Sequence, residues 1–150
     1  MSKLTHIDAE GDASMVDVSV KPIQDREAMA FGKIYLAEET LNAIENRDTA
    51  KGNVLATARL AGIMAAKKTG ELIPLCHPLS ITHIEVNFEI PDSRDCIIIT
   101  SSVRISAKTG VEMEALSAVS IAALTIYDMC KAIDKKMVIS EVKVTSKTKR

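Results

Sequence analysis

The sequence predicts an α+β fold: a ferredoxin-like sandwich in which helices pack on one face of a mostly antiparallel sheet. The first supporting observation is the order of the predicted elements, strand–helix–helix–strand–strand–helix–strand, which suits helices stacked on one sheet. The second is composition, because 150 residues that are 47% hydrophobic can bury one core. With two Phe, two Tyr and no Trp, that core must be aliphatic, and such cores often extend into subunit contacts. No linker or repeat divides the chain, so we expect a single domain over residues 1–150.

The first half of the chain predicts an N-terminal arm, one strand and two helices. The arm is polar and contains the breakers Gly11 and Pro22, and Asn53 is a good N-cap for the second helix. Gly70 is expected to close that helix, whose many small residues would let another backbone approach closely. The predicted ranges, in order, are 1–22, 25–36, 38–46 and 54–68.

The second half predicts a rigid loop, a hairpin, a long helix and a final strand. Pro74 and Pro78 lie close together and force an extended loop. The long helix is apolar on most sides, which is typical of a helix that is buried over most of its surface. Strands are expected at 81–90, 96–105 and 138–144, the hairpin turn at 91–95, the helix at 111–135 and a basic tail at 146–150.

Composition excludes several classes of function. A formal net charge of −1 argues against a general nucleic-acid binder, although it leaves room for a small anionic ligand. Cys76, Cys96 and Cys130 form no CxxC spacing, so neither a disulfide framework nor a metal site is expected. The N-terminus lacks the apolar segment of a signal peptide, and no apolar run approaches the ~20 residues of a membrane span. A cytoplasmic protein without membrane contact is therefore expected.

Polar residues at both ends of the long helix are the strongest candidates for chemistry. Glu112 and Glu114 lie in its first turn, where the helix dipole favours carboxylates, and the plain alternative is that both are surface acids. Asp128 and Lys131 are three residues apart near its other end, so they share a face among apolar neighbours. Partial burial there would shift both pKa values and leave a coupled acid–base pair.

Two further polar residues lie in turns. His77 is held between two prolines, which suits anion binding or proton transfer, although a loop histidine bonded to a carbonyl is at least as common. Lys51 precedes a helix N-cap, where backbone N–H groups favour anions, so it marks a candidate phosphate site or a solvated turn lysine. Both alternatives stay open for each residue on the sequence alone.

The length of the long helix limits how its two ends can cooperate. Glu114 and Asp128 are fourteen residues apart, which corresponds to about 21 Å along a helix axis. One small molecule does not easily touch both ends. Either the ends serve different sites, or an antiparallel neighbouring subunit places the start of one helix beside the end of another. The second arrangement would make an oligomer necessary for function.

Six segments of the chain carry a specific resemblance to a known family. They follow the family's order and span nearly the whole chain: Leu4–Asp8, Met15–Ser19, Lys51–Arg59, Ile73–Leu79, Lys108–Leu116 and Leu124–Ala132. By these segments the chain resembles the cyclic pyranopterin monophosphate synthase family, which carries out the second step of molybdenum cofactor biosynthesis. The resemblance implies one catalytic domain, a lyase. It would convert 3′,8-cyclo-7,8-dihydroguanosine 5′-triphosphate to cyclic pyranopterin monophosphate and release diphosphate.

The resemblance also implies roles for single residues. Catalytic roles fall on Asp128, Lys131 and Lys51. Substrate contacts fall on one loop, on the start of the long helix and on a lysine near the triphosphate: Leu75, Cys76, His77, Glu112, Met113, Glu114 and Lys147. These roles suit the chemistry, because ring opening and closure move protons, and departure of diphosphate needs cations. The two glutamates would serve as paired acceptors for a purine-like edge.

The family further implies a homohexamer, built as a trimer of dimers with active sites at subunit interfaces. No cofactor and no resident metal are implied, and any Mg²⁺ would only accompany the triphosphate. Many members continue into a Gly-Gly-Lys-Ser-Gly segment where this chain reads Ser146–Arg150. We expect Lys147, Lys149 and Arg150 to compensate for that segment in binding the triphosphate.

Two alternatives use the same residues differently. Ferredoxin-like domains often sense ligands without catalysis, but a sensor gives no reason for Asp128 and Lys131 in an apolar stretch. A metal-dependent hydrolase would use His77 and the glutamates, and activity undiminished by a chelator would exclude it. The sequence therefore favours a metal-independent enzyme.

Overall fold

The computed structural model describes residues 4–49 and 51–150. The sheet contains β1 (Gln24–Tyr35), β2 (His83–Glu89), β3 (Cys96–Ala107) and β4 (Val138–Lys149). The helices are α1 (Glu38–Glu45), α2 (Val54–Lys67), α3 (Thr69–Leu72) and α4 (Glu112–Cys130). The strands lie in the order β2-β3-β1-β4, and all neighbouring pairs run antiparallel. This is the split β-α-β arrangement of ferredoxin-like folds, so the predicted α+β class is confirmed.

Alternate residues of the strands are buried beneath the helices and form an aliphatic core. On β1, Ala28 and Ile34 are fully buried, as are Ile97 and Ile99 on β3. Helix α4 buries a stripe of small and branched side chains: Ala115, Ala118, Val119, Ala122, Ala123 and Ile126. The buried hydrophobic residues of the described chain include no aromatic side chain. The core composition predicted from the sequence is thus confirmed.

Close packing of α2 on α4 depends on Gly62. A Cβ added at Gly62 would lie 2.8 Å from the carbonyl oxygen of Ala118 and 3.4 Å from the Cβ of Ala122. The backbones of the two helices therefore meet directly at this point. The expectation that the small residues of α2 admit another backbone is confirmed. This contact sets the position of α4, which carries polar residues at both ends.

Five predicted elements agree with the structure within about two residues, but Gly70 does not close α2 as predicted. Helix α2 ends at Lys67, and Gly70 lies inside the short α3. A Cβ at Gly70 would approach the Cα of Pro78 to 3.0 Å. Glycine at this position therefore serves the close approach of the proline loop, which is a tertiary requirement that the local pattern does not reveal.

The long helix is shorter than predicted, because it ends at Cys130 rather than at residue 135. Asp134, expected inside the helix, is nearly buried and accepts hydrogen bonds from other elements. Its carboxylate accepts from the backbone N–H of Ala37 at 3.0 Å and from the hydroxyl of Thr40 at 2.9 Å. It also accepts from the backbone N–H of Lys136 at 3.0 Å. Asp134 therefore anchors the start of α1, which has no capping side chain of its own.

The predicted basic tail over residues 146–150 is instead the end of β4. Ser146 lies opposite Met29 on β1, and Lys149 lies opposite Arg26. Backbone pairing needs no hydrophobic alternation, and the side chains of this edge strand are exposed. The polar sequence of residues 146–150 therefore gave no indication that the strand continues through them.

A bulge interrupts the pairing of β4 with β1. Glu141 has a φ of 59°, and the register shifts between Phe31 and Lys33. The hydroxyl of Tyr35 donates to Oε2 of Glu141 at 2.8 Å. Lys33 lies on the same side, with its Nζ 3.7 Å from the same oxygen. These contacts fix the irregular section of the edge strand.

Helix α4 is the one described helix that is long and apolar enough to cross a membrane, and half of it is buried inside the protein. The prediction that no apolar run approaches this length was therefore too strict. Burial of this kind is typical of a core helix, and the helix gives only weak evidence for a membrane location.

Candidate functional site

Three predicted catalytic residues meet at the C-terminal end of α4. Nζ of Lys51, from the turn before α2, donates to Oδ2 of Asp128 at 2.7 Å. Nζ of Lys131 lies 3.1 Å from Oδ1 of the same carboxylate. Lys51 and Asp128 are far apart in the sequence, and the packing of α2 on α4 brings them together. One carboxylate thus lies between two ammonium groups.

The cluster is exposed, so the expected partial burial of the acid–base pair is wrong for the single chain. The side chains of Asp128, Lys51 and Lys131 are 52%, 51% and 59% exposed. The apolar neighbours Ile126 and Met129 point into the core, while residues 128 and 131 share the outward face. The pKa of Asp128 is nevertheless lowered, chiefly by the hydrogen bond from Lys51 and then by that from Lys131. The paired charges of the two lysines, rather than burial, therefore shift the pKa of Asp128.

The N-terminal end of α4 contacts the proline loop through Glu114 and Cys76. Glu114 is 2% exposed, so its interpretation as a surface acid is wrong. The Sγ–H of Cys76 donates to Oε2 of Glu114 at 3.7 Å. Burial raises the pKa of the Cys76 thiol to about 11, and the nearby Glu114 carboxyl adds to the shift. Cys76 is consequently a thiol, and not a nucleophilic thiolate, near neutral pH.

His77 lies beside the N-terminal arm. Its Nε2 is 2.6 Å from the carbonyl oxygen of Val16 and donates to it. The arm is held a second time where Nζ of Lys108 donates to the carbonyl oxygen of Ser19 at 2.9 Å. The histidine thus makes the carbonyl contact that was the plain alternative, and in the neutral ring its Nδ1 remains available as an acceptor. The sequence held no signal for these arm contacts.

Glu112 and Lys147 line a small basic pocket where β4 passes the start of α4. Nζ of Lys147 lies 3.8 Å from Oε1 of Glu112, and the pocket of about 170 Å³ is also lined by Arg26, Lys149 and the acid Glu27. A Cβ at Gly110 would collide with the Glu112 carboxyl group, so glycine there makes room for it.

Sequence reasoning missed Arg26 at this end of the molecule. Its guanidinium donates to the carbonyl oxygens of Ala107 and Lys108, both at 3.2 Å. It therefore holds the turn that leads into α4. A lone arginine within a strand gives no signal of this kind.

The structure gathers the predicted residues into two groups and does not join the groups within one chain. One group is Lys51, Asp128 and Lys131. The other lies around the start of α4, with Met113 and Leu75 partly exposed near it: Leu75, Cys76, His77, Glu112, Met113, Glu114 and Lys147. About 21 Å of helix separates Glu114 from Asp128.

Two other cavities of the described chain each touch one predicted residue. The smaller, of about 130 Å³, lies beside the proline loop and is lined by Glu114. A pocket of about 700 Å³ lies at the end of the sheet, among Arg26, Arg104, Arg150 and the acids Asp25 and Glu27, and of the predicted residues Arg150 alone lines it. Within residues 4–49 and 51–150, no group of three or more His, Cys, Asp or Glu side chains is placed to hold a metal ion. The two groups on α4 are therefore the candidates for chemistry.

Comparison with known proteins places the chain in a family. Residues 15–150 match the model of the MoaC family. A cyclic pyranopterin monophosphate synthase of Heliobacterium modesticaldum is 54% identical over 148 residues, covering 99% of this chain and 93% of that protein. A protein of the same name from Desulfitobacterium hafniense is 58% identical over 146 residues, covering 97% and 89%. This chain belongs to the MoaC family.

Proposed function

We propose that this protein is a cyclic pyranopterin monophosphate synthase in molybdenum cofactor biosynthesis. Its substrate is 3′,8-cyclo-7,8-dihydroguanosine 5′-triphosphate, and its products are cyclic pyranopterin monophosphate and diphosphate. Both relatives described above carry this enzyme name over nearly the whole chain. The observation that carries the proposal is the Asp128 carboxylate, held between the ammonium groups of Lys51 and Lys131.

Each member of the cluster has a role that suits this reaction. Ring opening and re-closure require protons to move at several atoms, and Asp128 with Lys131 forms a hydrogen-bonded pair that can accept and donate them. Cyclisation of the phosphate expels diphosphate, and the charge that develops there is stabilised by Lys51 and Lys131. The cluster carries one more positive charge than negative, which favours a polyanionic substrate.

The remaining groups bind the rest of the substrate in this proposal. The ring system is contacted by residues of the proline loop and of the start of α4: Leu75, Cys76, His77, Glu112, Met113 and Glu114. Lys147 lies toward the phosphates. The reaction is a rearrangement with elimination, which makes the protein a lyase that needs no cofactor. Any Mg²⁺ accompanies the triphosphate, and the reaction takes place in the cytoplasm on a small molecule.

The direct test is to incubate the purified protein with the cyclo-nucleotide and to measure both diphosphate release and formation of the cyclic pyranopterin. We expect both products in equal amounts. Diphosphate without the pterin would instead indicate simple hydrolysis, and absence of both would contradict the proposal. Excess chelator should leave the rate unchanged within about twofold, since no metal supplies the chemistry.

The active site is completed by a second subunit. We propose a homohexamer, a trimer of dimers, in which the end of α4 from one protomer faces the start of α4 from its partner. The separation of Glu114 and Asp128 within one chain supports this arrangement. The exposure of the Asp128 cluster in the single chain supports it as well. Active sites that exclude water strengthen the electrostatic interactions inside them, so a partner subunit that covers the cluster would complete the site.

Mixing two inactive variants tests the composite site. Asp128→Asn and His77→Ala each remove one half of the site, so each homo-oligomer should be inactive. Co-expressed in equal amounts, they should recover about a quarter of wild-type activity, since half of the dimers are mixed and each holds one intact site of two. No recovery, with mixed oligomers verified by native mass spectrometry, would show that each site lies within one chain.

A further inference from the structure

The two glutamates at the start of α4 have opposite surroundings, although only one residue separates them. The side chain of Glu112 is 34% exposed and faces Lys147, in the pocket that Arg26 and Lys149 also line. Positions i and i+2 lie on different sides of a helix, so Glu114 has none of these neighbours. The two residues are therefore not a matched pair of acceptors.

Glu114 is enclosed, and half of its hydrogen-bonding capacity is unused. Its side chain is 2% exposed, and Oε1 has no hydrogen-bond partner among the described residues. Oε2 accepts from the weak donor Sγ–H of Cys76. None of the ion pairs formed by the described residues includes Glu114. Within one chain, a carboxylate in this position would be a buried charge without a counterion, which is costly.

Within the described residues of one chain, the charged or titratable groups beside Glu114 lie on four segments. From the loop, Cys76 presents an uncharged thiol. From α2 and α3, Lys67 and Glu71 line the pocket of about 130 Å³ that Glu114 also lines, with opposite charges. On its own helix, Glu112 adds a negative charge. Burial is the main cause that raises the pKa of Glu114, and the negative charge of Glu112 adds to it. Hydrogen bonds from the backbone N–H of Glu114 and from the Cys76 thiol act in the opposite direction but are outweighed.

We propose that Glu114 is an uncharged carboxylic acid in the resting protein and donates its proton in a hydrogen bond to an acceptor atom of the substrate ring. The orphaned Oε1 is then the hydroxyl oxygen, and its partner is a ring carbonyl oxygen or an imine-type ring nitrogen. A buried donor that finds no acceptor is penalised, so Glu114 selects rings with an acceptor at this position. The identity of the ring rests on the proposed function, whereas the protonation state of Glu114 does not.

The protonation state can be measured without substrate, by infrared spectroscopy of protein that carries isotope-labelled glutamate. The wild type should show a carboxylic-acid carbonyl band at neutral pH, because only a protonated carboxyl group gives this band. The band should persist in the matched control Glu112→Gln and vanish in Glu114→Gln. A wild-type spectrum without the band would overturn the proposal. If Glu114→Gln does not fold, the loss of the wild-type band on raising the pH still decides the question.

Stability and binding give two further readouts. The contribution of neutral Glu114 to stability is present below its ordinary pKa of 4.5 and is lost as the pH rises through the higher folded value, so Glu114→Gln should remove this slope. Wild-type affinity for the cyclo-nucleotide should fall about tenfold, relative to Glu114→Gln, as the pH rises through the same range. An affinity that rises instead would overturn the proposal. A failure to bind substrate at any pH would contradict the proposed function and leave the infrared result to stand alone.

Discussion

Replacement of Asp128 by asparagine should lower kcat by about one hundred- to ten-thousandfold, the range expected when a general acid–base group is removed. The amide keeps the shape of the side chain but cannot take up a proton or neutralise its lysine partners. Because all three side chains are about half exposed, the variant should fold normally. The measurement is the rate of diphosphate release at saturating substrate, with folding checked by thermal unfolding.

The matched control is Glu39→Gln, which neutralises an exposed acid on α1 away from the cluster. It should leave kcat unchanged. Lys131→Met and Lys51→Met should show losses comparable to that of Asp128→Asn, and the losses should not add when variants are combined, because the three groups act together. Wild-type turnover in Asp128→Asn would remove Asp128 from the chemistry.

Replacement of Asp134 by alanine should lower the free energy of unfolding by about 3 kcal/mol, since it leaves buried donors without acceptors. The backbone N–H of Ala37 and the hydroxyl of Thr40 both lose their partner, and Thr40 is 2% exposed. Urea unfolding measures the loss. Asp92→Ala, an exposed acid in the hairpin turn, is the control and should change stability by less than about 0.5 kcal/mol.

The effect of Asp134 should also depend on pH. Burial alone would raise its pKa, but the hydrogen bonds from Ala37, Lys136 and Thr40 outweigh burial and lower it. Its stabilisation is therefore present above the ordinary pKa of 3.8 and is lost as the pH falls through the lower folded value. Equal stability of wild type and Asp134→Ala at pH 7 would contradict the proposed anchoring of α1.

The class of fold could be predicted because the local patterns agree with the final topology. Strand-like runs, the N-cap Asn53 and the hairpin turn are all local signals, and each element they mark is present. The errors lie where distant contacts decide. Gly70 is required by its close contact with Pro78, and Asp134 is held by its hydrogen bonds to the start of α1. The end of β4 is held by backbone pairing with β1. None of these contacts produces a hydrophobic periodicity that could be recognised in the sequence.

The candidate site was predictable in its residues but not in their surroundings. The i, i+3 spacing of Asp128 and Lys131 placed them on one face, and the structure confirms that contact. The inclusion of Lys51 in the same cluster needed the packing of α2 on α4. Glu112 and Glu114 looked alike in the sequence, whereas burial separates them in the structure. Burial depends on every packed element, so a single segment cannot reveal it.

The hydrogen bond between Tyr35 and Glu141 has a consequence for optical studies of this protein. The chain has no tryptophan and two tyrosines, Tyr35 and Tyr127, so its tyrosine emission comes from two positions. A carboxylate that accepts from a phenol quenches its fluorescence, and Tyr35 bonds to such a group at 2.8 Å. Tyr127 directly precedes Asp128. Brightening of the tyrosine emission would therefore signal that β4 has left its neighbour and freed Tyr35.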